Sequence, residues 1–256
     1  MTESQWRMVP LRIAIAGTGK MGQAVQESAQ QRGHLIVKRF NSKDPVSETS
    51  LPENADVVID FTQPELAITH MTHYCKTKMP AVIGTTGWYD HLNEVQDLFE
   101  TYQSVAIYGS NFSLGIQLLL QALNSIGPLL DQFPEFDTAI HEVHHSGKAD
   151  SPSGTAITLA HALLNGLQRK RRWSEASVIR DPSTLEVRAM RLGHVFGQHR
   201  VIIDGPADHI ILEHTAKNRN GFAVGAVRAA EWIQGRRGLF TVEDMLAHWL
   251  SDHSIS

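Results

Sequence analysis

Leu11 to Ala16 (L-R-I-A-I-A) runs without a break into Gly17-Thr18-Gly19-Lys20-Met21-Gly22, and Q-A-V-Q-E-S-A-Q-Q follows with helical character. A short β-branched strand, a glycine-rich turn and a helix, in that order, leave few folds open. The G-x-G-x-x-G spacing predicts dinucleotide binding when it sits between strand and helix. Gly17 makes the tight turn, Gly19 lets the backbone approach a pyrophosphate, and Gly22 lets helix and strand pack closely.

The alternation continues along the chain. His34–Phe40 reads as a second strand, Ala55–Asp60 as a third, Pro80–Gly84 as a fourth and Ser104–Tyr108 as a fifth, with helices predicted over 64–78 and 89–102. Five strands alternating with helices predict a parallel, doubly wound sheet, whose ligands bind at the carboxyl ends of the strands. Small or polar residues stand at those ends: Asp60-Phe61-Thr62, Gly84-Thr85-Thr86-Gly87-Trp88, and Gly109-Ser110-Asn111-Phe112-Ser113. The second strand closes on Asn41-Ser42-Lys43 without the carboxylate that would bond a ribose 2′-hydroxyl. Lys20, Arg39 and Lys43 are near, which tilts the choice from NADH towards NADPH; Asp44 serves as the acid only if the strand runs longer.

From Ile116 the pattern changes. A helix is predicted over 116–123 and a strand over 134–144, leading into H-E-V-H-H-S-G-K-A-D-S-P-S-G-T-A (His141–Ala156). That stretch gathers an imidazole pair (His144, His145), a cation (Lys148) and a Pro-Ser-Gly-Thr turn before an apolar helical run. Ser153 or Thr155 is a natural N-cap. A helix N-terminus leaves N–H groups unpaired and carries partial positive charge, so Ser153, Gly154 and Thr155 form a candidate carboxylate or phosphate site, with Lys148 on its other side. The helix is expected to reach about Lys170, and the basic run from Arg169 to Arg172 reads as its solvated end. Leu185–Met190 and two antiparallel strands joined at Asp204-Gly205-Pro206 follow, then helices over 222–233 and 242–250. The expected architecture is α/β. A Rossmann-like doubly wound parallel sheet (1–114 and 220–256) receives an inserted α+β domain with a mixed sheet (115–219).

Composition narrows the partners. Lys plus Arg is 23 against 27 for Asp plus Glu, a formal charge of −4, so neither nucleic acid nor an anionic membrane is expected. Cys75 is the sole cysteine, which excludes an intrachain disulfide and a cysteine-based metal cluster and fits a reducing cytoplasm. The opening M-T-E-S-Q-W-R lacks a basic and then apolar region, so no secretory signal is expected, and no apolar run reaches the length of a membrane span. No metal is expected on the histidine pair either, because adjacent strand residues point apart and no third ligand has a telling spacing.

Taken in order, G-K-M-G, V-I-D-F-T, G-T-T-G-W, N-F-S-L-G, E-V-H-H-S-G-K-A-D-S-P-S-G-T-A and G-F-A-V-G-A-V-R-A-A-E-W resemble the 4-hydroxy-tetrahydrodipicolinate reductase family, formerly dihydrodipicolinate reductase. The resemblance spans most of the chain. It implies NAD(P)H-dependent reduction of 4-hydroxy-tetrahydrodipicolinate to tetrahydrodipicolinate with loss of water, in diaminopimelate and lysine biosynthesis. It also implies a homotetramer joined through the sheet of the substrate domain. By the same resemblance NADPH or NADH sits on Gly17, Thr18, Gly19, Lys20, Met21 and Gly22, on Asn41, on Gly84, Thr85 and Thr86, and on Ser110, Asn111 and Phe112. The substrate, a cyclic imine with two carboxylates, sits on His145, Lys148, Ser153, Gly154 and Thr155. His144 is implied as proton donor with Lys148 as a second essential donor, and Arg219–Phe222 as a hinge opposite Ser113–Ile116. Two departures touch the coenzyme: the glycine loop is one residue shorter than the family's frequent G-x-x-G-x-x-G, and Asn41-Ser42 replaces an acid-or-Arg pair.

Elementary chemistry agrees with that assignment. Hydride addition to a conjugated imine leaves negative charge on the ring, which a histidine titrating near the working pH can quench. A lysine and helix N–H groups hold carboxylates without reorganising. A dehydrogenase for an open-chain amino acid or semialdehyde would leave the His144-His145-Lys148 cluster without a role. A nucleotide sensor would have no need of the proton donor.

Overall fold

All of V-V-I-D and four of the five residues of R-I-A-I-A are buried, and these runs form two adjacent inner strands of a parallel sheet. The computed structural model describes residues 9–176 and 180–252; the opening segment on which the secretory-signal reading rests lies outside them. The chain divides into two units, Met1–Ser113 with Arg219–Ser256, and Leu114–Asn218.

The first unit is built on β1 (Arg12–Ala16), β2 (Leu35–Phe40), β3 (Val57–Asp60), β4 (Ala81–Ile83), β5 (Val105–Tyr108) and β11 (Gly238–Thr241). Their order is β11-β5-β4-β3-β1-β2, and every pairing is parallel. The strand β11 is a sixth where the sequence reading had five. Helices α1 (Lys20–Gln31), α2 (Pro64–Thr77) and α3 (Leu92–Thr101) connect the strands, with a 3-10 turn over Tyr89–His91 before α3. Helices α6 (Asn220–Trp232) and α7 (Val242–Asp252) flank β11. Alternation along the strands sorts the two faces. Ala14, Ala16, Val58, Ala81, Ile83 and Ala106 pack against Ala67, Met71, Tyr74 and Cys75 of α2 and Val95 and Phe99 of α3. Ile15 meets α1 on the opposite face, where the Cβ missing from Gly22 would lie 3.5 Å from its side chain.

Helix α6 brings distant sequence back to this sheet. Arg32, just after α1, donates from Nε and Nη2 to the two carboxylate oxygens of Glu231, each at 2.8 Å. His34 accepts from Leu11 N–H through Nδ1, so its Nε2 carries the proton donated to Glu231 at 2.8 Å. The two bonds fix one tautomer.

The second unit holds α4 (Leu114–Asp131), β6 (Asp137–His144), α5 (Gly154–Gly166), β7 (Arg172–Ser174), β8 (Thr184–Arg191), β9 (Gln198–Asp204) and β10 (His209–Thr215). Its mixed sheet runs β10-β9-β6-β8-β7, antiparallel on the β9 and β10 side and parallel on the β8 and β7 side. One face, with Ile140, Leu185, Val187, Val201 and Ile203, packs on α4 and α5. Those helices cross where a Cβ on Gly166 would lie 2.6 Å from Pro128, so glycine there permits the approach.

Two local expectations need correction. The helix opened by Ser153 stops at Gly166 rather than about Lys170, and the basic run is not simply solvated. Arg172–Ser174 pairs with β8 as an edge strand, while Lys170 is buried, donating to Thr184 O at 3.2 Å and pairing with Asp137 at 2.7 Å.

Candidate functional site

In the first unit the predicted coenzyme residues lie at the carboxyl edge of the parallel sheet. Gly17 adopts φ +93° and donates to Phe40 O at 3.2 Å. A Cβ there would meet Phe61 O at 2.3 Å, and one on Gly22 would meet Gly17 O at 1.8 Å, so both positions are closed to larger residues. Gly19 differs: it is exposed, and nothing lies within 4 Å of a Cβ built on it. It precedes the 12-residue α1 as an N-cap without a side-chain hydrogen bond. The first-turn N–H groups of Lys20, Met21 and Gly22 therefore lack helical partners and face open space with the positive end of the helix dipole. That cradle fits a pyrophosphate.

The neighbouring loops are fixed by one buried carboxylate that sequence reading did not single out as their anchor. Asp60 accepts from Thr62 N–H (3.0 Å), Thr62 Oγ1 (2.6 Å), Thr85 Oγ1 (3.2 Å) and Tyr74 OH (2.7 Å), and His70 Nδ1 lies 2.8 Å away. Burial acts to raise its pKa, but His70, Thr62 and Tyr74 bring it below the ordinary value. Gly84 lies directly over Phe61, whose ring would be 2.1 Å from an added Cβ, and Phe61 meets Phe112 edge-on at 6.2 Å. Trp88 closes the Thr85-Thr86 turn by donating to Thr85 O at 2.8 Å. Asn111 caps its own turn by accepting from Ser113 N–H at 2.8 Å, leaving Ser110 exposed. After β2, Asn41 accepts from Lys43 N–H at 2.8 Å, and Asp44 is paired with Lys38 at 2.6 Å.

In the second unit, strand register builds the other site. His144, Glu142 and Ile140 share one face of β6; Arg191 stands beside His144 on β8, and His199 stands opposite Glu142 on β9. The face that is apolar under the helices becomes ionisable at this end. Ser153, the N-cap of α5, closes over it: its hydroxyl accepts from Ala156 N–H at 3.2 Å and donates to Glu142 Oε2, and its N–H donates to Glu142 Oε1 at 3.0 Å. Arg191 Nη2 donates to the same Oε1 at 3.1 Å and also to Asp150 O. His144 Nδ1 lies 3.4 Å and His199 Nε2 3.5 Å from Glu142 Oε2, with the two rings edge-on at 5.1 Å. Glu142, Arg191 and His199 escaped sequence reading because they come from three strands; the available signal was the two-residue alternation that puts Glu142 on His144's face.

The electrostatics follow from burial and partners. Burial pushes the Glu142 carboxyl up, but hydrogen bonds from His199 and Ser153 and the nearby His144 bring it down to about 2. Burial drives the His144 imidazole down to about 4, against the pull of Glu142 and with the help of His199, Lys148 and Arg191. Glu142, His144 and His199 could span a cation, since one ligand atom of each lies within 4.8 Å of the others. Arg191 and Ser153 already occupy that carboxylate, so a second cation there would meet repulsion from the guanidinium.

Beside this cluster, His145 is exposed and Lys148 half-buried. Lys148 Nζ pairs with Asp150 at 2.7 Å, just before the head of α5. Burial acts to raise the Asp150 pKa, but Lys148 and backbone N–H groups hold it low. Thr155 follows in the first turn of α5.

Residues 11–112 match the family described as dihydrodipicolinate reductase, N-terminus, and residues 115–246 match dihydrodipicolinate reductase, C-terminus. The chain belongs to the dihydrodipicolinate reductase family. Within it, the chain is 37% identical over 238 residues to 4-hydroxy-tetrahydrodipicolinate reductase of Christiangramia forsetii, covering 93% of this chain and 98% of the relative. The Rickettsia rickettsii enzyme of that name is 31% identical over 240 residues, covering 92% and 98%. Among solved structures, dipicolinate-bound dihydrodipicolinate reductase from Paenisporosarcina sp. TG-14 shares the fold with a TM-score of 0.74 at 22% identity, over 93% of this chain and all of that one. The parallel six-stranded unit and the mixed-sheet unit are thus the two parts of a dihydrodipicolinate reductase fold.

Proposed function

We propose that the chain catalyses the reaction after which its relatives are named, the NAD(P)H-dependent reduction of 4-hydroxy-tetrahydrodipicolinate to tetrahydrodipicolinate with loss of water, in diaminopimelate and lysine biosynthesis. One observation carries the substrate side of this reading. A carboxylate, that of Asp150, already pairs with Lys148 Nζ at 2.7 Å just before the head of α5. The turn is thus built for carboxylates, and a dicarboxylate imine presents two.

Lys148, Gly154 and Thr155 bind one substrate carboxylate, His145 reaches it from the exposed side, and Ser153 keeps the turn in place through Glu142. The coenzyme is held at Gly17 to Gly22, Asn41, Gly84 to Thr86 and Ser110 to Phe112, where open space at Gly19 and the head of α1 suit its pyrophosphate. When bound, the reduced nicotinamide supplies a hydride. His144 then gives a proton to the electron-rich ring, and Lys148 stabilises the charge that develops there. At the end of β2, Asp44 is committed to Lys38 and Lys43 is exposed, which supports NADPH as the better coenzyme. Among relatives, the dipicolinate-bound enzyme supports a planar dicarboxylate in the site. The family's habit of associating through the sheet of the substrate domain supports a homotetramer. The open face of that sheet carries exposed Met190 and Ile211.

The test is consumption of reduced coenzyme by the purified protein with substrate made fresh by a synthase from pyruvate and aspartate semialdehyde. NADH and NADPH are run side by side. Turnover with both, faster with NADPH, is expected; coenzyme binding without turnover would reassign the chain to another imine or to a sensor.

A further inference from the structure

Glu142 has no role in the chemistry above, yet it is the hub of the second unit's ionisable cluster. We propose that Glu142 is the positioning residue for His144: its carboxylate selects the imidazole nitrogen that gives up the proton, and couples that donor to the turn that binds the substrate. The inference rests on the reductase reading of the site.

Glu142 is fully buried. A buried charge is tolerated only when its partners satisfy it. Its two oxygens divide the work. Oε1 takes Ser153 N–H and Arg191 Nη2, holding the head of α5; Oε2 takes the Ser153 hydroxyl and faces His144 Nδ1 at 3.4 Å. Among the described residues, His144 Nδ1 has no hydrogen-bond partner. Catalytic hydrogen bonds are often long without ligand and tighten when substrate binds. His144 Nε2 lies on the other side of the ring, beside Gly197, where an added Cβ would be only 3.1 Å away. Glycine there leaves room at the nitrogen that must reach the substrate. With Nδ1–H turned to Glu142, Nε2 is the atom that gains and gives the proton.

The groups around the imidazole set when that proton is loaded. Glu142 on its own strand favours the imidazolium; His199 on β9, Arg191 on β8 and Lys148 before α5 oppose it. His214 on β10 lies next to His199, and Asp150 is held by Lys148. A substrate carboxylate on Lys148 offsets one of the opposing cations. Binding therefore raises the proton affinity of His144 at the moment a donor is needed. In the transfer, the Nε2–H bond breaks with its electrons left on nitrogen. The ring's electron pair forms the new C–H bond, and His144 returns to the neutral Nδ1–H tautomer.

Two variants test this. Glu142→Gln keeps the shape without the charge, and Glu142→Asp withdraws the charge by one methylene. The pH profile of kcat is measured for each, with the His144 ring resonance titrated by NMR in the presence of dipicolinate. For Glu142→Gln the alkaline limb and the His144 titration move to lower pH by about one unit or more. Turnover at neutral pH falls about 100-fold while coenzyme affinity holds. Unchanged turnover, or lowered turnover with an unmoved limb, would overturn the proposal by leaving Glu142 a purely structural part. If the Gln variant does not fold, Glu142→Asp decides: a smaller movement in the same direction supports the role, and none overturns it. Absence of turnover in the unaltered protein would sink the reductase reading instead, and the His144 titration, which needs no turnover, would still judge Glu142.

Discussion

His144 is buried and its neighbour His145 exposed, so two residues of one type meet different environments. Desolvation makes His144 a reluctant cation, suited to releasing a proton, whereas His145 is free to meet a ligand's carboxylate. Replacing His144 with Ala is expected to lower turnover by about 10²- to 10⁴-fold with coenzyme affinity intact. Lys148→Ala removes a charge-assisted hydrogen bond worth about 1.5–3 kcal/mol, so turnover falls and KM for the imine rises together. Steady-state kinetics with direct coenzyme titration separate the two patterns; full activity in either variant would remove that residue from the mechanism.

At the scale of elements, the two helix heads do different work. Gly19 before α1 has open space and an ordinary φ of −69°, so Gly19→Val is expected to fold, losing about 0.5–1 kcal/mol as a poorer N-cap. It blocks coenzyme all the same, which calorimetric titration with NADPH reads directly; unaltered affinity would dismiss the pyrophosphate cradle. Ser153 before α5 is tied into the fold. Ser153→Ala loses a cap worth about 1 kcal/mol and leaves Glu142 short of a donor at about 1–3 kcal/mol more, measured as a lowered urea midpoint. The first five strands of the parallel sheet were legible because each is an apolar, largely β-branched run that closes on small or polar residues and alternates with helical segments. Two other strands were not: Gly238–Thr241 begins on a glycine at φ +107° and runs into a helix, and Arg172–Ser174 lies inside a basic run. Local patterns announced His144, Lys148 and the α5 head because they lie within a dozen residues. Arg191 and His199 reach Glu142 only through strand register, which no local pattern in one sequence displays.

For the whole molecule, the buried network predicts how acid acts. Glu142 has a folded pKa of about 2 against an ordinary 4.5, so its contribution is complete above 4.5 and is lost as pH falls towards 2. Asp60 behaves alike, from 3.8 downward. His144 runs the other way, since a folded value of about 4 against 6.5 means the unfolded chain takes the proton first. Folding is thus opposed progressively from pH 6.5 down to about 4. The urea midpoint is expected to decline in two stages, first below 6.5 and then below 4.5. His144→Gln flattens the first, leaving the smaller part due to His214, whose pKa burial also lowers. A midpoint constant from pH 7 to 5 in the unaltered protein would contradict the burial of a neutral His144.

The first unit draws on both ends of the chain, while the second is the uninterrupted stretch Leu114–Asn218. During synthesis, therefore, the mixed-sheet unit is complete before the parallel sheet can be. The outer edge of β5 has no neighbour until Gly238–Thr241 has been made, and Arg32 and His34 have no Glu231 to meet until α6 has been made. On the ribosome the mixed-sheet unit is ready first, and the parallel-sheet unit waits for its last strand.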